Sequence, residues 1–202
     1  MSKWNKITTR DFIRIQEVIH LETNPVVRMA KVLEIATKHK YDDLMQLPMY
    51  KLRELAKKNE WAFNAPTSDV RYRFKFKGRR FEPISDVHQI KASQFIDGSE
   101  LSKGNELELI QRINILMGVV TKETTPKWKY YFSWWWKKRL TDQEKFAMIM
   151  DMPIAYVYPN VIFFCKVWAT LLEDIPTYLE KMAEELTATA HGMQKDMDGQ
   201  QP

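Results

Sequence analysis

The spacing of apolar residues along the chain predicts a protein built mainly from helices. Apolar side chains recur three and four positions apart in the segments predicted as helices: 11–21, one beginning near Pro25, one beginning near Pro48, 106–120, 141–150, 160–172 and 178–189. Two of the predicted starts carry good capping residues. Thr8 or Thr9 precedes the first helix, and Thr141 with Glu144 matches a capping box.

One stretch departs from the helical period. From Arg71 to Lys77, basic and aromatic residues alternate with the period of two that is typical of a β-strand. Gly78 permits a turn, and Phe81 begins a returning strand. Because two strands alone are marginally stable, their aromatic face must pack on helices or on another chain. The predicted fold class is therefore mainly α, a helical bundle with one small antiparallel β hairpin.

The chain is expected to divide into three parts. Residues 1–64 form an N-terminal helical part, residues 65–190 form the hairpin and a helical core, and residues 191–202 form a polar tail. The first boundary falls at NAPTSD, residues 64–69, which is rich in turn-forming residues.

Charge is distributed unequally along the sequence. The formal net charge is +5, yet residues 141–202 contain four lysines and ten carboxylates, a net of −6. Residues 1–140 therefore carry a net charge of +11. Such polarity suits binding of nucleic acid at one end, or head-to-tail contact between copies. Solvated surface helices of unequal sign are the alternative explanation.

Catalytic motifs are missing from the sequence. The four histidines are scattered singly, no CxxC or HExxH occurs, and the six glycines form no phosphate-binding loop. Cys165 is the only cysteine, and its apolar neighbours in VIFFCKVW predict a small buried hydrophobe rather than a nucleophile. We therefore expect no catalytic residue, no metal and no cofactor, and a protein that is not an enzyme.

The sequence also predicts a soluble protein made in the cytoplasm. Its opening, MSKWNKITTRDF, lacks the apolar region of a signal peptide. The longest uncharged stretch, residues 152–165, is too short to cross a bilayer and contains two prolines.

The hairpin allows two functional interpretations. On a strand the aromatic and basic side chains point to opposite faces, so the aromatic face either packs inward or stacks on bases. Inward packing is favoured, because KGRRFEPI lacks the glycine-aromatic pattern of an RNA-reading sheet. The cations would then form a basic surface that meets DNA phosphates or an acidic partner without reading sequence. This predicted basic surface consists of Arg73, Lys75, Lys77, Arg79 and Arg80.

A second unusual stretch is WKYYFSWWWKKR, residues 128–139, which is densely aromatic and flanked by cations. Three consecutive tryptophans cannot all be buried by one face of one helix or strand. A partner interface is favoured, because Trp and Tyr dominate interface hot spots, with plain core packing and a membrane surface as alternatives. The predicted interface consists of Tyr130, Tyr131, Trp134, Trp135 and Trp136.

The run FKFKGRRFEPISDVHQIKASQFIDG resembles a pattern in uncharacterised structural proteins of tailed bacteriophages, crAss-like phages in particular. In those proteins an aromatic–Gly–aromatic hairpin precedes a Gln-aromatic-Ile-Asp element, here Gln94–Asp97. A helix junction and paired phenylalanines follow, here Met152–Pro153 and Phe163–Phe164. The likeness covers about residues 74–179, and the N-terminal helices and the tryptophan-rich stretch have no counterpart in it.

The resemblance implies a non-enzymatic virion protein made in the host cytoplasm, a subunit of a homo-oligomeric ring in the neck, head–tail connector or tail. Its partners would be further copies of itself, portal and tail subunits, and the DNA backbone through non-specific contact, with no membrane. Two alternatives stay open at this point. One is a phage tail or capsid assembly chaperone, and the other is a non-specific DNA-binding protein.

Overall fold

The computed structural model describes residues 3–66, 69–84, 92–101, 104–124, 140–167 and 169–170. The chain divides into two compact units, Met1–Phe163 and Phe164–Pro202. The division predicted after residue 64 lies inside the first of these units and stays a prediction. The predicted tail, residues 191–202, lies outside the described residues.

The first unit is mainly helical. Its helices are α1 (Thr9–Leu21), α2 (Pro25–Thr37), α3 (Tyr41–Met45), α4 (Met49–Lys58), α5 (Ala92–Leu101), α6 (Glu106–Gln111), α7 (Ile113–Val119) and α8 (Asp142–Met150). Residues 154–163 are also helical, and Lys3–Lys6 and Glu60–Phe63 form 3₁₀ turns. Three short strands, β1 (Phe74–Phe76), β2 (Arg79–Pro83) and β3 (Thr121–Glu123), form one antiparallel sheet. The predicted fold class is confirmed, with a third strand added to the hairpin.

Local capping explains where the predicted helices begin. The Thr8 hydroxyl accepts a hydrogen bond from the backbone N–H of Asp11 at the start of α1. The Asn24 side chain accepts from two backbone N–H groups at the start of α2. Thr141 and Glu144 form the predicted capping box of α8. Each cap satisfies backbone donors that would otherwise lack a partner in the first helical turn.

Helix boundaries that depend on packing differ from the prediction. The single helix predicted over 106–120 is broken at Arg112, whose φ and ψ of −96° and 4° leave the helical region. The break lets α6 pack on α1 while α7 packs on α5 and α8. The helix predicted from residue 160 begins earlier, at residue 154. The short helix α3 was not predicted at all.

Helix α5 was also missed, because its sequence, ASQFIDGSEL, has no clear amphipathic period and contains Gly98. Glycine weakens a helix interior by about 1 kcal/mol relative to alanine. Gly98 is buried, and α5 packs against α7, so tertiary contact compensates for the weak local preference.

One core cluster joins α2, α3 and α4. Four side chains at its centre are at most 2% exposed: Ala30, Leu33, Leu44 and Leu52. Partly buried apolar residues surround them, including Leu55 and Ala56 from the inner face of α4. This cluster buries one face of α4 and leaves the opposite face to solvent.

A direct backbone link joins the start of α1 to the segment before residue 154. Thr8 and Pro153 form an isolated antiparallel bridge, and the N–H of Thr9 donates to the carbonyl of Met152 over 2.8 Å. The N–H of Ile154 donates to the carbonyl of Ile7 over 2.9 Å. Thr9 and Met152 are both fully buried. The start of α1 and the segment that follows α8 are therefore hydrogen-bonded together.

Among the helices that the structure describes, none combines the length and apolar character needed to cross a membrane.

Replacing Asn24 with alanine removes the N-cap of α2, and we expect a loss of about 1 kcal/mol in the free energy of unfolding. Asn24→Asp is the matched control, because a carboxylate at the same position still accepts from the first-turn N–H groups. Urea titration followed by circular dichroism measures both variants. Equal midpoints for Asn24→Ala and Asn24→Asp would contradict this role.

Candidate functional site

The register of the sheet places its side chains on two chemically different faces. Phe74 pairs with Phe81, which in turn pairs with Glu123. Lys75 pairs with Arg80. Since successive side chains on a strand alternate between faces, the first three residues share one face and the last two share the other.

The inner face is apolar with one buried ion pair. The Phe74 and Phe81 rings stack with centroids 5.6 Å apart, and both residues are buried. The Tyr156 ring also lies 5.6 Å from Phe74. The prediction that the hairpin packs its aromatics inward holds for these strand residues. Tyr72, which precedes β1, is 59% exposed, so the prediction does not hold for it.

Arg79 lies on this inner face and not on the predicted basic surface. Its Nη1 is 2.7 Å from Oε1 of Glu123, and both side chains are only 6% exposed. Arg79 stands two residues before Phe81, so strand alternation already pointed it inward. The prediction that Arg79 belongs to the basic surface was wrong, because its guanidinium is buried in an ion pair with Glu123.

The hairpin turn is anchored to the end of α8. Lys77 and Gly78 have φ of 46° and 76°, the left-handed values of a two-residue type I′ turn. Nζ of Lys77 lies 2.7 Å from Oδ2 of Asp151, and a guanidinium nitrogen of Arg10 lies 3.4 Å from Oδ1 of the same carboxylate. Lys77 is exposed as predicted, and its ammonium group forms an ion pair with Asp151.

The outer face of the sheet is strongly cationic. Arg73, Lys75, Arg80 and Lys122 are all exposed, while Glu82 is the carboxylate on the described part of this face. Lys122 lies opposite Glu82 on β3, a strand that the sequence did not reveal. We call these five residues the outer sheet face. It retains Arg73, Lys75 and Arg80 from the prediction and adds Lys122.

The predicted aromatic interface lies outside the described residues. It consists of Tyr130, Tyr131, Trp134, Trp135 and Trp136. Its role stays a prediction.

A different apolar surface occurs where α3 meets α4. Met45 and Met49 are each 41% exposed, and Tyr50 is 67% exposed. We call these three residues the α3–α4 corner. The exposed face of α4 carries four cations, Lys51, Arg53, Lys57 and Lys58, and one carboxylate, Glu54, which forms an ion pair with Lys58 over 2.8 Å. Exposed apolar residues that cluster and are rimmed by charge are typical of contact sites.

The corner was not identified from the sequence, where its residues match a helical apolar pattern. The structure separates them from the core, because Leu44 and Leu52 occupy the inward positions of α3 and α4. The signal available was the close spacing of two methionines and a tyrosine around Pro48.

The groove between α1 and α2 contains an ion pair. It has a volume of about 550 Å³ and is lined in part by Glu22 and Lys31. Nζ of Lys31 lies 2.6 Å from Oε2 of Glu22. The hydrogen bond between them lowers the pKa of Glu22 and raises the pKa of Lys31. Glu22 is therefore ionised at neutral pH and cannot act as a general acid.

Metal-binding groups and the single cysteine are the remaining candidates for reactive chemistry. No three His, Cys, Asp or Glu side chains there are placed to share a metal ion. In the second unit, Cys165 is half-buried, and this burial raises the pKa of its thiol. A raised pKa reduces the thiolate fraction at neutral pH, which makes Cys165 a poor nucleophile.

Comparison with known proteins yields no relative: no family model, no curated protein and no solved structure matches this chain.

Loss of a carboxylate should reduce stability much more on the inner face of the sheet than on the outer face. Glu123→Ala leaves the Arg79 charge buried without its partner, and we expect a loss of about 3–5 kcal/mol in unfolding free energy. Glu82→Ala is the matched control, because the Arg73–Glu82 contact of 3.4 Å is largely exposed on the arginine side. It should cost less than about 1 kcal/mol.

Urea titration of both variants measures the difference. The double variant Arg79→Met with Glu123→Leu should recover most of the stability lost in Glu123→Ala, because no buried charge remains. Similar midpoints for Glu123→Ala and Glu82→Ala would contradict a buried ion pair.

Proposed function

We propose that this protein is a non-enzymatic structural subunit of a tailed-bacteriophage particle, assembled as a homo-oligomeric ring near the portal, in the neck or tail. The resemblance of residues 74–179 to phage structural proteins supplies the biological setting. The observation that carries the assembly part of the proposal is the α3–α4 corner, an exposed apolar cluster beside a cationic helix face.

A ring requires a heterologous contact, in which two different patches of the same chain meet around a rotation axis. The α3–α4 corner serves as one patch, and its occupant is a second copy of this chain. Charge complementarity supports that choice, because the α4 cations flank the corner and residues 141–202 carry a net charge of −6. Opposite charges on the two patches set the orientation of subunits and disfavour like-to-like pairing.

The tryptophan-rich stretch is the second proposed contributor to assembly. Trp134, Trp135 and Trp136 are consecutive, so one face of a helix or strand cannot bury all three, and a neighbouring subunit would supply a second surface for them. Tyr130 and Tyr131 extend the same aromatic set.

Native mass at physiological salt is the direct test of ring formation. Size exclusion with multi-angle light scattering should give a single large species of defined subunit number. Replacing the three tryptophans with alanine should dissociate this species while changing the unfolding midpoint of the chain much less. A purified chain that is monomeric at every concentration would contradict self-assembly.

Charge placed in the corner should prevent assembly without unfolding the chain. We expect Met49→Glu with Tyr50→Glu to shift the oligomer toward monomer, because both side chains are exposed and a buried contact would now contain two carboxylates. Leu21→Glu is the control, since Leu21 is 68% exposed and belongs to α1 rather than to α3 or α4. Equal masses for the two variants would remove the corner from the interface.

A second function is favoured by the methionines of the corner. Met45 and Met49 present flexible, polarisable apolar surface that adapts to different partners, as expected of a chaperone for tail or capsid assembly. A chaperone leaves before the particle matures, whereas a ring subunit stays. Mass spectrometry of finished particles separates the two, because only the ring subunit would be found there.

A further inference from the structure

We propose that a groove formed by α5, α7 and α8 is the second assembly patch of this protein, and that its occupant is the α3–α4 corner of a neighbouring copy. The inference rests on the proposed function and deepens it, because it assigns the surface that a heterologous contact requires opposite the corner. The groove and the corner belong to different helices of the first unit.

The groove combines apolar and acidic side chains. Its lining includes four half-buried apolar residues and two exposed carboxylates: Leu101, Ile115, Val119 and Phe146, with Asp97 and Glu100. We call this surface the acidic groove. Its volume of about 400 Å³ lies in the range of pockets that hold small molecules, so it has room for large side chains such as Met49 and Tyr50.

The Phe146 ring is placed in the acidic groove by its contact with α7. A Cβ atom at position 118 would clash with this ring, so Gly118 lets the ring lie directly on the helix. Helices α7 and α8 pack against each other, which holds the two residues together. An aromatic side chain that is fixed before binding loses little conformational freedom on contact, and aromatic residues are frequent hot spots of protein interfaces.

Carboxylates border the apolar part of the groove. Asp97 and Glu100 are three residues apart, which places them on one side of α5. Asp142 is also exposed, and it precedes Phe146 by four residues in α8. Asp142 and Phe146 belong to residues 141–202, the part of the sequence that carries the net negative charge. The acidic groove therefore offers negative charge next to apolar surface.

Helix α4 carries the complementary pattern. Arg53 follows Met49 by four residues and Lys57 follows Arg53 by four, so both exposed cations share a side of the helix with the apolar corner. Cβ atoms three or four residues apart on a helix are separated by about 5–6 Å, and this spacing applies to the two cations and to the two groove carboxylates alike. Two cations can therefore meet two carboxylates while the apolar corner enters the groove.

A cation in the lining of the groove favours the same occupant. Arg112 is half-buried, at the break between α6 and α7. A guanidinium attracts the face of an aromatic ring within about 6 Å, and the exposed Tyr50 of the corner supplies such a ring. A polyanion such as nucleic acid would instead be repelled by Asp97 and Glu100.

Mixing two variants tests the contact on the full-length protein. The groove variant carries Asp97→Lys with Glu100→Lys, and the corner variant carries Met49→Glu with Tyr50→Glu. Each should be monomeric alone, because each lacks one half of the contact. Their equimolar mixture should form a one-to-one dimer, since the intact corner of the groove variant meets the intact groove of the corner variant and the altered patches stop further growth. Size exclusion with light scattering measures these masses.

Exchange of charge between the two patches supplies a rescue. Adding Arg53→Glu and Lys57→Glu to the groove variant should restore the mass of the unmodified protein, because opposite charges then face each other again. Glu60→Lys with Asp69→Lys is the matched control, since it makes the same change of net charge at two exposed residues outside the groove and the corner. It should assemble normally, and urea midpoints should stay near that of the unmodified protein in both groove and control variants.

Three results would overturn the inference while the unmodified protein still assembles. An unchanged mass of the groove variant would remove a second copy as the occupant of the groove. A mixture that stays monomeric would show that corner and groove do not meet. An equal loss of assembly in the control would show dependence on net charge alone. A monomeric unmodified protein would instead contradict the proposed function, and this inference with it, so the two failures are distinguishable.

Discussion

Backbone hydrogen bonds close the first unit of this protein by joining the start of α1 to the segment that follows α8. Thr9 donates its backbone N–H and its hydroxyl to the carbonyl of Met152, and Ile154 donates back to Ile7. Contacts this distant in sequence cost chain entropy, so they persist only when the groups are well buried. Thr9 and Met152 are fully buried, which satisfies that condition. The closure places the start of α1 beside the end of α8.

The functional surfaces follow from that closure. Asp151 lies at the closure and accepts ion pairs from Arg10 of α1 and from Lys77 at the hairpin turn. The turn is thereby held against the helices, and the aromatic side of the sheet packs near Tyr156 in the following helix. With one face of the sheet buried in this way, its charged face must point outward. The cationic outer face and the buried Arg79–Glu123 pair therefore both follow from burial of one face of the sheet.

The sequence by itself determined the features that rest on neighbouring residues. Thr8, Asn24 and Thr141 begin helices because each side chain bonds to backbone groups two or three residues away, and the alternation around Phe74 specifies a strand. Only the tertiary structure decided the features that need distant partners. Arg79 is neutralised by Glu123, 44 positions away, and Lys122 reaches the outer face because β3 pairs with β2. The break at Arg112 likewise arises because α6 and α7 pack on different helices. Local hydrogen bonds and periodicity are encoded within a few residues, whereas strand pairing and burial emerge only when remote segments meet.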